Sequence, residues 1–288
     1  MAAVVFDDRQ CDLGEGSLWH PGTETLFWFD ITGRRLLARN ADGARQWQFD
    51  EMHSAAGWID DHRLVVAHES GLSVFDTRSG ERKPLAALPT AGPSIRTNDG
   101  RADPRGGFWI STMGRPPRPE AGAIWRWHAG ALRRLFTGLK IPNAICFAPD
   151  GSCAYFADTA QRVVWRVSLD AAGWPQGDPQ SFIDLSDAGR NPDGAVVDAF
   201  GRLWIAMWGA GSVSVYGQDG RFLNDWTVPV PNPTCPAFGG SEMADLFVTS
   251  ARQGMDSVAL AGSPAAGCVL CLPGIAAGHP EPAVCLPA

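Results

Sequence analysis

Charge of one sign is thin in this 288-residue chain: only two lysines, Lys83 and Lys140, stand beside 22 arginines, and the net charge is −7. No basic run is present, which argues against nucleic acid and anionic membrane as partners. No stretch reaches the roughly 18 apolar residues that a membrane span needs. The start, Met1-Ala2-Ala3-Val4-Val5-Phe6-Asp7-Asp8, has neither a basic opening nor a long apolar core, so no secretory leader and a cytoplasmic location are expected. Familiar catalytic signatures are missing too. There is no G-x-S-x-G and no Gly-rich phosphate loop, and His68-Glu69 lacks the second histidine of H-E-x-x-H. The six histidines are scattered, and each is expected at the surface or in a turn. Seven cysteines are an odd number at irregular spacing, with a single C-x-x-C, Cys268 to Cys271, inside a strand-like run. Free thiols are the expectation. No Ser/Gly-rich linker or low-complexity tract marks a domain boundary.

Long helices are excluded by what is abundant, 22 prolines spread along the chain. What remains is a repeat. Six times a loop rich in Gly, Asp, Asn or Pro precedes a short apolar strand. The strands are Leu26 to Phe29, Leu64 to Ala67, Phe108 to Ser111, Ala154 to Ala157, Leu203 to Ala206 and Leu246 to Thr249, and their loops open 40 to 50 residues apart. A further strand often follows, as at Leu72-Ser73-Val74-Phe75, closed by Gly turns such as Asp42-Gly43, Ser79-Gly80 and Asp219-Gly220. This period, with strands and no helical stretch, predicts an all-β, six-bladed β-propeller of four-stranded blades. Such a fold at roughly 40–45 residues per blade uses about 240–270 residues, so residues 1–288 are expected to form one domain. Ring closure is expected to pair Val4 to Asp7 with the C-terminal strands.

Four polar sites interrupt apolar context about 4 to 14 residues upstream of a blade strand: Gly14-Glu15-Gly16, Arg96-Thr97-Asn98-Asp99-Gly100, Pro142-Asn143 and Pro192-Asp193-Gly194. Equivalent positions of a propeller converge on one face of its channel. Asn143 and Asp193 could simply cap tight turns. Three oxygen-bearing residues at equivalent positions of separate blades nevertheless favour a shared site, in which Glu15, Asn143 and Asp193 offer two carboxylates and an amide oxygen to a hard divalent cation. Tryptophans such as Trp109, Trp125 and Trp208 could line a sugar site, although Trp in blade strands mostly packs between blades.

These motifs, in order and followed by Phe238-Gly239-Gly240 and Leu246 to Arg252, resemble the SMP-30/gluconolactonase/luciferin-regenerating family over about residues 12 to 275. The resemblance implies a six-bladed propeller that hydrolyses sugar (aldono-) lactones, pentono- or hexonolactones, with one divalent ion: Ca, Zn, Mn, Mg or Fe. It implies Glu15, Asn143 and Asp193 as metal ligands, Asp193 also as general base, and Arg96, Asn98 and Glu120 as substrate contacts. No obligate protein partner is implied. Two other classes stay open: a metal-free binding scaffold, and a calcium-dependent phosphotriesterase or aryl esterase, because one fold hosts many activities.

Overall fold

The structure, a computed structural model, describes residues 2–89 and 94–287. It consists of six antiparallel four-stranded sheets arranged as blades around a channel. Blades one to five each run in chain order from an inner to an outer strand. Blade 1 comprises Gly14–His20, Thr25–Asp30, Arg35–Asn40 and Gly43–Gln48. Blade 6 departs from this order: its inner three strands are Pro233–Gly239, Asp245–Ser250 and Val269–Leu272, and its outermost is the N-terminal Val4–Asp7. Val4 pairs with Cys271 and Val5 with Leu270, so the two ends of the chain close the ring as expected.

The strands that reveal the repeat in the sequence are the second of each blade. Both of their faces are buried, so they read as continuous apolar runs rather than alternating ones. In Thr25–Asp30, Phe27 and Phe29 pack toward blade 2, whereas Leu26 and Trp28 pack toward blade 6. That two-residue alternation is the strand pleat at work. Six apolar clusters result, one at each junction between neighbouring blades. Outer strands such as Phe222–Thr227 are largely exposed. Gly80 and Gly220 adopt φ of 75° and 80°, which hairpin turns of this kind require and glycine alone tolerates without strain.

One helix, Ser257–Gly262, interrupts blade 6 and is capped by the Asp256 carboxylate, which accepts from the Ala259 N–H. Among the described residues no helix is long and apolar enough to cross a membrane. The described cysteines are all free. The histidine expectation needs correction, because His20, His53 and His68 are buried. They lie within strands whose ends pack against the next blade. The His53 ring stacks on Phe49 at 3.8 Å, and burial pushes its pKa down to about 3.

Candidate active site

The inner strands carry the chemistry. In each, the ladder slips out of register near its start: between Glu15 and Leu18, Thr97 and Gly100, Asn143 and Cys146, and Pro192 and Ala195. A bulge re-aims side chains that a regular strand would turn into the sheet. Two of the bulges rest on left-handed backbone, at Gly16 (φ 59°) and Ala144 (φ 56°). A Cβ on Gly16 would meet the Ser54 carbonyl oxygen, so glycine after Glu15 is a spatial as well as a conformational requirement. Ala144 holds the same conformation without that freedom.

Glu15, Arg96, Asn98, Asn143 and Asp193 together line one cavity of about 410 Å³ at a mouth of the channel. Their side chains form a relay. Arg96 Nη1 donates to Asn98 Oδ1 at 2.7 Å, Asn98 Nδ2 to Asn143 Oδ1 at 2.7 Å, and Asn143 Nδ2 to Asp193 Oδ1 at 2.8 Å. Glu120 lies elsewhere: it is exposed in the connection that follows Phe108–Gly114, and it does not line this cavity.

Other lining residues escaped the sequence reading. Thr159 accepts from Asn143 Nδ2 at 2.9 Å and donates to the Pro192 carbonyl at 2.6 Å, joining two inner strands. Arg162, held by Asn191 at 3.0 Å, and Gln253 complete the polar wall, with Trp208 on the apolar side. Thr159 and Arg162 follow the second strand of blade 4, where a polar turn looks like any hairpin connection. Of the three tryptophans considered, Trp109 and Trp125 are core and only Trp208 reaches the cavity.

Burial and mutual repulsion perturb the two carboxylates of this cavity. Glu15 is pushed up to about 8, first by burial and then by Asp99, against the opposing pull of the Gly16 N–H and Arg96. Burial, Glu15 and Asp99 likewise drive Asp193 well above the usual carboxylate range, with Arg96 opposing. Two buried carboxylates that repel each other share one cavity with the Asn143 amide, and the oxygens of the three form a donor set with a deficit of positive charge. Hard divalent cations suit it. Among the described residues no group of three or more His, Cys, Asp or Glu gathers.

The model of the SMP-30/Gluconolactonase/LRE-like region matches residues 13–252. The chain belongs to this family. A Rhizobium meliloti protein whose name assigns it as a sugar lactone lactonase is 42% identical, the match covering 91% of this chain and 90% of that protein. L-arabinolactonase of Azospirillum brasilense is 36% identical over 92% of this chain and 89% of its own. A crystal structure from Agrobacterium tumefaciens, described as the calcium-binding protein regucalcin, superposes with a TM-score of 0.96 at 38% identity, covering 99% of this chain and 98% of that one.

A pH prediction follows from the two carboxylates. Their folded pKa values are raised, so between the ordinary carboxylate range and about 8 the unfolded chain has already released protons that the folded one retains. Stability of ion-free protein therefore falls as pH rises through that window. His53 and His68, pushed down by burial, act in the opposite sense only below about 6.5. Thermal melts in chelator should lose a few degrees between about pH 6.5 and 8, below the range in which the unfolded chain's cysteines titrate, and Glu15→Gln should flatten the slope. A melting temperature that rises over this window would contradict the assignment.

Proposed function

We propose that the protein hydrolyses a sugar lactone to its aldonic acid in the channel cavity, with a divalent ion held by Glu15, Asn143 and Asp193. The observation that carries this is the convergence of those three side chains with Arg96 and Asn98 on a single cavity, supported by whole-length relatives named as lactonases. Its volume falls within the roughly 300–1,000 Å³ of small-molecule sites. A divalent ion bound there would supply an electrophile for the lactone carbonyl and lower the pKa of water.

The protein's own groups do the rest. Asp193, placed by Asn143, accepts the proton of the attacking water. The charge of a bound ion would keep that carboxylate ionised near neutral pH, so it acts as a weak base whose strength is its placement. Arg96 is half-buried and pinned by its bonds to Asn98 Oδ1 and the Thr97 carbonyl, the latter at 2.8 Å. It presents a fixed fork of donors, while Asn98, whose amide N–H groups are taken by Asn143 Oδ1 and by the Pro142 carbonyl at 3.0 Å, keeps one Oδ1 lone pair to accept from a sugar hydroxyl. Trp208 offers the apolar face for the ring's C–H surface.

The test compares substrates. A panel of pentono- and hexonolactones, an unsubstituted lactone and a phosphotriester, run with chelator-treated enzyme reconstituted ion by ion, should show turnover of the hydroxylated lactones only with a divalent ion. Losing one hydrogen bond costs about 0.5–1.5 kcal/mol, more with a charged donor, so Arg96→Ala and Asn98→Ala should lower kcat/KM on hydroxylated lactones by roughly 3- to 100-fold. The unsubstituted ring should suffer far less. Equal losses on both would reassign these residues to support of the fold or the ion, and preferential phosphotriester turnover would replace the lactonase reading.

A further inference from the structure

After the last strand the chain does not leave the molecule. Residues 275–287 cross the face of the propeller opposite the candidate site, picking up one blade after another. The Ile275 and Gly278 N–H groups donate to the Ala244 and Met243 carbonyls in blade 6, at 2.8 and 2.7 Å. The Ala277 carbonyl accepts from the Ala199 N–H in blade 5 at 2.9 Å. Trp58 Nε1 of blade 2 donates to the Glu281 carbonyl at 2.9 Å, and the Val284 N–H returns a bond to the Trp58 carbonyl at 2.7 Å. Cys285 then donates to Gly106 of blade 3 at 2.9 Å. Gly57 and Gly106 let this strap approach, since a Cβ on either would meet Val284 or Cys285 side-chain atoms closer than 3 Å.

In mid-crossing the strap sends one carboxylate into the channel. Glu281 pairs there with Arg101, and both side chains are more than nine-tenths buried. Arg101 lies on the inner strand Ile95–Ala102 and laces two others: its Nε donates to the Ile145 carbonyl at 3.0 Å and its Nη2 to the Ala195 carbonyl at 2.9 Å. Ile145 is two residues beyond Asn143, and Ala195 two beyond Asp193. The other side of Ile145 is held as well, because its N–H donates to Asp99 Oδ2 at 2.6 Å. Asp99 and Arg101 thus grip both faces of the residue that follows Ala144, whose left-handed backbone (φ 56°) is costly for a residue with a Cβ and persists only where its neighbours fix it.

We propose that Arg101 and Asp99 are positioning residues for the ion site, and that Glu281 of the C-terminal strap, by neutralising Arg101, sets the affinity of the site for its ion from the far end of the channel. This rests on the proposed ion site. Without Glu281 the guanidinium keeps its charge in a buried place and must reach for another acceptor, and the grip on Ile145 and Ala195 loosens with it. Groups that orient ligands without touching the metal commonly change affinity by about 10- to 100-fold when altered.

The experiment titrates Mn²⁺ and Ca²⁺ into ion-free protein by calorimetry, with no turnover involved, and records the melting temperature of each variant. Glu281→Gln should weaken binding about 10-fold. Arg101→Lys keeps a charge for Glu281 but cannot span both carbonyls, and should weaken it as well. The double variant Arg101→Met/Glu281→Leu removes the buried charges together and should regain most of the melting temperature while its affinity stays low. A purely structural pair would regain both, and that result overturns the proposal. So does wild-type affinity in Glu281→Gln. Wild-type protein that binds neither ion would instead sink the ion site itself, and with it this role for the strap.

Discussion

Asp193→Ala is expected to abolish lactone hydrolysis, by at least about 10³-fold in kcat even at saturating ion and substrate. A general base alone contributes about 10² to 10⁴, and this substitution also removes an oxygen donor from the proposed ion site and the acceptor of the Asn143 bond. Asp193→Asn separates these parts. It keeps the shape and most of the hydrogen bonding while removing the charge, so a base role predicts nearly the same loss as alanine. Glu15 provides the control. Glu15→Gln should lower ion occupancy, measured by elemental analysis of dialysed protein, and its activity should recover in part at high ion concentration because the base is intact. Asp193→Asn should not recover. Unchanged stoichiometry in both Glu15→Gln and Asp193→Asn would remove them as ligands. Substantial turnover by Asp193→Ala would move the proton to another acceptor.

Why the blades were legible in the sequence and parts of the site were not follows from where each signal arises. The second strand of every blade is buried on both faces, and that leaves an apolar run no loop can imitate, as in Leu203-Trp204-Ile205-Ala206. Inner strands announce themselves differently. They are equally buried, yet Glu15, Asn98, Asn143 and Asp193 interrupt them, and the bulges there break the alternation that would mark a strand. Their polarity is legible as a site for the same reason that it is illegible as a strand. Glu120 shows the limit of position along the chain: its connection carries it to the exposed surface, where the sequence alone gives no register. Thr159 and Arg162 were hidden because the turn they occupy has the composition of any turn. The strap was invisible for a different reason. The segment Gly278-His279-Pro280-Glu281-Pro282 has neither the periodicity of a strand nor the pattern of a helix, and its value lies in bonds to residues more than 170 positions away, such as Trp58 and Gly106.

A second large effect lies outside the cavity. Asp103 and Arg126 in blade 3 form a two-pronged ion pair, Nε to Oδ2 at 2.7 Å and Nη2 to Oδ1 at 3.2 Å, with both side chains wholly buried. Arg126 also donates to the Ala172 carbonyl at 2.9 Å and lies 4.3 Å over the Trp174 ring, so it fastens the blade 3 edge to the blade 4 turn. Its Nη1 has no acceptor among the described residues. The pair therefore carries little spare compensation. Asp103→Ala leaves a buried guanidinium without its counter-charge and strips the acceptor for the Arg105 and Gly107 N–H groups. Breaking a buried pair in this way costs about 3–5 kcal/mol, and in a chain of this size that corresponds to a fall of roughly 5–8 °C in Tm. Removing both charges is a different experiment. Asp103→Leu/Arg126→Met replaces the pair with apolar volume and should recover most of the loss, because the desolvation of two charges disappears along with their attraction. Neither residue lines the cavity, so kcat of the folded fraction at low temperature should match that of the unaltered protein. A Tm unchanged by Asp103→Ala would mean that water reaches the guanidinium and that the blade 3–blade 4 junction is looser than its geometry indicates. A kcat that fell at full Tm would instead tie this corner of the propeller to the channel.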